Sequence, residues 1–87
     1  MKEVKMFMFE GCPHCKKAQE LIEALKGRYI EYAQINISVV DEKKDPITAD
    51  AYDYYYVPAL FVDGVKVHEG VPSEDKIKSV LNKALEN

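Results

Sequence analysis

Glu10-Gly11-Cys12-Pro13-His14-Cys15-Lys16-Lys17 decides how the rest of this chain is read. The stretch follows an apolar run, Val4 to Phe9, and opens a helical pattern extending to about Leu25. A Cys-x-x-Cys pair at a strand-to-helix junction is the arrangement of a redox pair rather than of a zinc finger. The reactive species in disulfide chemistry is the thiolate, and a free cysteine, with a pKa of about 8.5, is mostly protonated at neutral pH. A helix N-terminus supplies unpaired N–H donors and about half a positive charge, so a sulfur placed there is favoured as the anion. Cys12 falls at that end. Pro13 suits the first helical turn, where its missing N–H leaves no bond unmade and its φ is already helical. His14, when protonated or donating, adds to the stabilisation of the Cys12 thiolate. Cys15 lies one helical turn on and on the same face, placed to displace a mixed disulfide formed at Cys12. The predicted roles are asymmetric: Cys12 attacks and Cys15 resolves.

A structural bridge and a zinc site are the competing readings of two cysteines. A closed zinc site takes four ligands. The chain holds two cysteines and two histidines, His14 and His68, so such a site would use all of them. His14 lies between the cysteines and points away from a site that both share. No metal is expected.

Eighty-seven residues bound the chain to a single domain, residues 1–87, with one modest core. Hydrophobic content of 47% and charged content of 31% are those of a soluble globular chain. No run approaches the roughly 20 apolar residues of a membrane span. The start, Met1-Lys2-Glu3-Val4-Lys5, mixes both signs of charge, and the apolar run behind it is too short for a secretory signal, so a cytoplasmic location is expected. In a reducing cytosol a Cys-x-x-Cys pair is more often transient and catalytic than a permanent staple. The net charge of −3 argues against a nucleic-acid partner. Lys16 and Lys17 form only a local basic spot.

Val4 to Phe9 is consistent with a buried parallel strand. The helix behind the cysteines carries Ala18, Leu21, Ile22 and Leu25 at helical spacing and ends at Gly27, read as its C-cap. Tyr29 to Ile37 alternates partly and is read as the second strand, reached by a parallel crossover. Asp41 to Asp45 is a charged turn, and a short helix is expected from Pro46 to about Tyr55. Asp63-Gly64, flanked by Ala59 to Val62 and Val65 to His68, is a strong hairpin signal. His68 is expected on an exposed strand edge. Ser73 is an N-cap for a closing helix with Ile77, Val80, Leu81, Ala84 and Leu85 on one stripe. The predicted order is β-α-β-α-β-β-α.

With this order, the chain resembles the thioredoxin superfamily in its small, glutaredoxin-like form, over nearly its whole length. Cys12 to Ala18 is similar to the glutaredoxin active-site helix, where an aromatic residue usually stands in place of His14. The histidine resembles the motif of periplasmic disulfide oxidants, whose helical insertion this chain lacks. The second matching signature is Tyr56-Val57-Pro58. The resemblance implies a central mixed four-stranded sheet with three flanking helices, and a cis-proline at Pro58 facing the dithiol. It also implies a Val57 backbone available to an extended substrate. The departures are specific. Met6 stands where many thioredoxins bury an acid, Gly11 where a tryptophan precedes the motif, and Phe9 where glutathione users carry a lysine. Gly70-Val71-Pro72-Ser73 retains only part of a glutathione clamp.

The expected activity is thiol-disulfide exchange through Cys12 and Cys15, with Pro13, His14 and Pro58 completing the catalytic set. Tyr56, Val57, Gly70 and Val71 are the candidate substrate-binding residues. The substrate is a protein or small-molecule disulfide. The electron donor is a reductase or glutathione, no cofactor is bound, and the chain is read as a monomer. A glutathione-dependent glutaredoxin and a non-catalytic iron-sulfur or partner-binding module are the alternatives. The cluster Tyr52, Tyr54, Tyr55 and Tyr56 has two open readings: rings lining a substrate groove, or rings packed on the sheet with hydroxyls in water.

Overall fold

In a computed structural model, which describes residues 1–86, the apolar run near the N-terminus is strand β1 (Val4–Met8). It lies inside a four-stranded sheet of order β2-β1-β3-β4. Its alternate residues serve two faces, as the two-residue period of a strand requires. Val4 and Met6 join one buried cluster and Phe7 joins another. β2 (Ile37–Asp41) runs parallel to β1, with Val4 opposite Ile37 and Met8 opposite Asp41. β3 (Ala59–Val62) is antiparallel to β1, and β4 (Val65–Glu69) is antiparallel to β3. The Asp63-Gly64 hairpin is where the sequence places it, with both residues at positive φ.

Two helices cover one face. Helix α1 (Pro13–Arg28) buries Cys15, Ala18, Ile22 and Leu25 at steps of three and four residues. Helix α3 (Glu74–Leu85) buries Ile77, Val80, Leu81 and Ala84, and its N-cap is Ser73, whose Oγ accepts from the Lys76 N–H at 3.3 Å. Together with Leu60 and Val62 they form the larger cluster. The opposite face is covered by the short helix α2 (Pro46–Asp50) and the segment after it. There the Phe7 ring centroid lies 4.8 Å from Tyr52, 5.0 Å from Tyr54 and 5.6 Å from Phe61. The element order is the one read from the sequence, and the mixed sheet with three helices is the architecture that the resemblance implies.

Four local expectations are corrected. The second strand is Ile37–Asp41, not Tyr29 to Ile37. The earlier stretch spends its apolar residues differently: Ile30–Tyr32 is a 3-10 turn, Tyr32 and Ile35 are buried, and the Tyr32 hydroxyl donates to Asn82 at 2.7 Å. Gly27 lies within α1, and the cap is Tyr29, whose N–H donates to the Leu25 carbonyl at 3.0 Å. Helix α2 stops at Asp50, because Tyr52 and Tyr54 turn onto the sheet rather than continuing a helical stripe. His68 is on an edge strand, yet it is buried, with Nε2 3.0 Å from the Gly70 carbonyl oxygen. The cause is a β-bulge. Leu60 pairs with His68, but Phe61 pairs with Lys66, so Val67 is an extra residue that reverses the alternation of β4.

Candidate active site

The site is built where β1 hands over to α1. The backbone turns through Gly11 at φ +90°, a region costly for a residue with a β-carbon. The Cys12 N–H donates to the Phe9 carbonyl at 3.3 Å, and the Lys16 N–H donates to the Cys12 carbonyl at 3.1 Å as the helix begins. Cys12 is therefore the N-cap residue, extended at φ −78° and ψ 114°, with Pro13 in the first turn. Its Sγ accepts from the Cys15 N–H at 3.2 Å. This is the position at which a serine or aspartate oxygen would normally satisfy the first turn. The donors and the positive end of α1 are thus directed at a sulfur.

Cys12 and Cys15 are joined as a disulfide, with their Cα atoms 5.2 Å apart. Cys15 is 1% exposed and Cys12 6%, so an outside sulfur approaches the pair from the Cys12 side. His14 is exposed and makes no hydrogen bond to either sulfur among the described residues. Met6 is fully buried in the cluster that contains both cysteines. Among the described residues His68 is the one buried polar side chain, so no carboxylate is buried beneath the sulfurs.

The second half of the site is the segment entering β3. The Val57-Pro58 peptide bond is cis, as the resemblance implies, and Pro58 is buried. Val57 is half-buried and packs against the cluster of the cysteines as well as that of Phe7. Its backbone N–H and C=O make no intramolecular hydrogen bond among the described residues. The Pro58 carbonyl accepts from the Gly70 N–H at 3.0 Å, which ties the turn after β4 to the proline. A β-carbon on Gly70 would lie 3.8 Å from that of Tyr56, so this turn runs alongside Tyr56, and Val71 beyond it is exposed. The tyrosines divide. Tyr52 and Tyr54 pack on Phe7 and Phe61, whereas Tyr55 is 82% exposed and Tyr56 68%. Tyr54 also donates to Glu42 at 2.8 Å, and burial together with that carboxylate raises its pKa.

Two carboxylates that the sequence reading did not single out hold the flanking loops. Asp41, the last residue of β2, accepts from the Glu10 N–H at 3.2 Å through Oδ2, and from the Lys43 and Lys44 N–H groups through Oδ1. Desolvation acts to raise its pKa. The backbone donors and the Lys44 charge outweigh this and leave it below the ordinary value. The Asp41-Glu42-Lys43 geometry is an Asx-turn, a signal that an aspartate ahead of a charged turn offers in the sequence. Glu69 accepts from the Tyr55 and Tyr56 N–H groups at 2.8 and 3.1 Å, and Lys66 donates to its other oxygen at 2.7 Å. The Lys66 ammonium and these two N–H groups hold the Glu69 pKa down at about 2. Among the described residues no group of three or more His, Cys, Asp or Glu side chains is placed to hold a metal ion.

A sulfur pair at a helix N-terminus beside a strand that begins at a cis-proline defines a thioredoxin-fold protein with a Cys-x-x-Cys site. The family model described as a thioredoxin domain matches residues 2–82, and the chain belongs to that family. A probable thioredoxin of Methanothermobacter thermautotrophicus is 26% identical over 83 residues, which cover 95% of each chain. Among solved structures, a mutant thioredoxin from Halobacterium salinarum superposes with a TM-score of 0.71 at 24% identity, covering 99% of this chain and 76% of that one. A protein disulfide oxidoreductase from Aeropyrum pernix matches with a TM-score of 0.69 at 24% identity, covering 95% of this chain and 37% of that one. No helix among the described residues is long and apolar enough to cross a membrane.

Proposed function

We propose that the protein is a dithiol-disulfide oxidoreductase acting on protein disulfides. The observation that carries this reading is Cys12 as the N-cap of α1, its sulfur accepting a first-turn N–H while Cys15 is sealed beneath it. In the reduced protein the Cys12 thiolate attacks one sulfur of a substrate disulfide. A Cys12–substrate disulfide forms, and the other substrate sulfur leaves as a thiolate that takes up a proton. The Cys15 thiolate then attacks the Cys12 sulfur, forming the Cys12–Cys15 disulfide and expelling the second substrate thiolate. Two electrons have passed from the dithiol to the substrate. A reductase or glutathione restores the dithiol, and His14 tunes the thiolate through its charge.

The unpaired Val57 backbone supports an extended peptide as the substrate, since an added strand needs a free N–H and C=O. Tyr56, Gly70 and Val71 flank that edge. The cytoplasm is the compartment that suits this use, because there a Cys-x-x-Cys pair cycles rather than persists.

The test is to equilibrate the protein in graded glutathione buffers, alkylate the free thiols and count them by mass. A reversible two-thiol transition is expected. A midpoint near about −270 mV marks a reductant, and one above about −200 mV an oxidant. Cys12→Ser should abolish insulin reduction, and Cys15→Ser should accumulate the mixed disulfide. If no intramolecular disulfide forms at any poise, the proposal fails.

A further inference from the structure

The segment that presents Val57 is held on one side by a carboxylate that reaches it only because β4 is irregular. In a regular strand, residues three apart point to opposite faces. Lys66 and Glu69 are three apart, and yet their side chains meet at 2.7 Å. The bulge at Val67 is the reason. Lys66 pairs with Phe61 and Glu69 with Ala59, and Phe61 and Ala59 belong to one buried cluster on one face of the sheet. The extra residue therefore turns Lys66 onto the face of Glu69 and turns His68 into the core. Bulges of this kind re-aim side chains beside functional sites.

Glu69 then spans from β4 to the backbone immediately before the cis-proline. One oxygen takes the N–H groups of Tyr55 and Tyr56, and the other is occupied by Lys66. The next residues are Val57, whose backbone makes no internal hydrogen bond, and Pro58, whose carbonyl is tied to the Gly70 N–H at 3.0 Å. The Val57 peptide is thus fixed from both flanks by the same strand end. The exposed rings of Tyr55 and Tyr56 are carried on the clamped backbone. A carboxylate accepting two N–H groups is a charge-assisted contact, stronger than a neutral one.

We infer that Glu69, braced by Lys66, is a positioning residue that fixes the Tyr55-Tyr56-Val57 backbone for an incoming peptide disulfide and so favours protein substrates over small disulfides. This rests on the oxidoreductase reading above. Glu69 touches no reacting atom. Its effect passes through the Val57 edge, so it governs how a peptide docks and leaves the intrinsic reactivity of Cys12 unchanged.

The experiment measures single-turnover rate constants of the reduced protein with two probes. Insulin has a backbone that can pair with Val57, and hydroxyethyl disulfide has none. Glu69→Ala should lower the insulin rate constant about tenfold, in keeping with the loss of charge-assisted bonds, and leave the hydroxyethyl disulfide rate unchanged. Glu69→Gln keeps an acceptor oxygen for the two N–H groups and should restore most of the insulin rate. Lys66→Met, which leaves the carboxylate but removes its brace, should fall between them. The reduction potential should not move in any variant. An unchanged ratio of the two rates in Glu69→Ala overturns the inference, as does an equal fall with both probes accompanied by lost thermal stability. If the unaltered protein reduces neither probe and shows no reversible two-thiol transition in graded glutathione buffers, the oxidoreductase reading itself fails, and the inference falls with it. If it shows the transition but reduces neither, the same ratio is read in the oxidising direction, with reduced insulin and 2-mercaptoethanol as the probes.

Discussion

Two glycines show how backbone conformation, rather than residue type, sets what a substitution does. Gly11 makes the turn into the Cys12 cap at φ +90°, and a β-carbon there meets nothing within 4 Å, so the whole penalty of an alanine is conformational. Gly11→Ala is expected to destabilise by about 1–2 kcal/mol, the usual cost of holding an L-residue in the left-handed region. Gly27 is the opposite case. It is exposed, helical and equally uncrowded. Gly27→Ala is expected to stabilise by about 0.5–1 kcal/mol, because alanine loses less freedom than glycine in a helix. Urea unfolding of both variants measures the two shifts. A loss at position 27 would mean that the helix ends there in solution, as the sequence reading has it.

The elements differ in how openly the sequence declares them, and the differences have physical causes. Helix α3 was fully legible. Its cap Ser73, the acidic Glu74 and Asp75 in the first turn and the stripe from Ile77 to Ala84 all point the same way. Ser73→Ala removes the acceptor for the Lys76 N–H and should cost about 1 kcal/mol of stability. Thermal unfolding of that variant checks it, and an unchanged Tm would show that water replaces the hydroxyl at no cost. The hairpin and the Cys12 junction were legible for the same reason, since turn and cap chemistry are local. β2 was not. Its residues Ile37 to Asp41 are chosen by pairing with Val4 to Met8, a contact made across more than thirty positions, while nearby Tyr32 and Ile35 are as apolar and bury elsewhere. β4 concealed the Glu69 contact because the alternation of Val65, Lys66, Val67 and His68 reads as a regular strand, and a bulge leaves no signature in residue type. Of the candidate site, the Cys12 and Cys15 pair is legible in its spacing at the strand-to-helix junction, and the cis bond at Pro58 only through the resemblance. Glu69 acts through the Tyr55 and Tyr56 N–H groups and Asp41 reaches the Glu10 N–H, contacts distant in sequence that no spacing reveals, whereas the Asp41 turn onto Lys43 and Lys44 is local.

At the scale of the whole molecule, the two faces of the sheet meet at β4, and that makes the stability of the fold depend on pH. His68 sits on the helical face opposite Leu60, and Glu69 sits on the other face opposite Ala59. Burial lowers the His68 pKa below 6.5, and the Lys76 charge works in the same direction, while the Gly70 carbonyl and Glu69 oppose both without overcoming them. The folded protein therefore binds the His68 proton less readily than the unfolded chain does. Stability from this group is complete above about pH 6.5, declines as pH falls below that value, and levels off once the folded-state pKa is passed. Glu69 adds a second decline at lower pH. Its carboxyl is held at about 2 against an ordinary 4.5, so its contribution is complete above the ordinary value and is lost as pH falls toward about 2. Urea midpoints at a series of pH values should show the two descents. His68→Gln, neutral at every pH, should flatten the upper one and leave the lower in place. Glu69→Gln should weaken the lower one, to which Asp41 and Asp45, also held below their ordinary values, contribute, and leave the upper in place. A His68→Gln protein that retained the full decline below pH 6.5 would show that the buried imidazole is not its source.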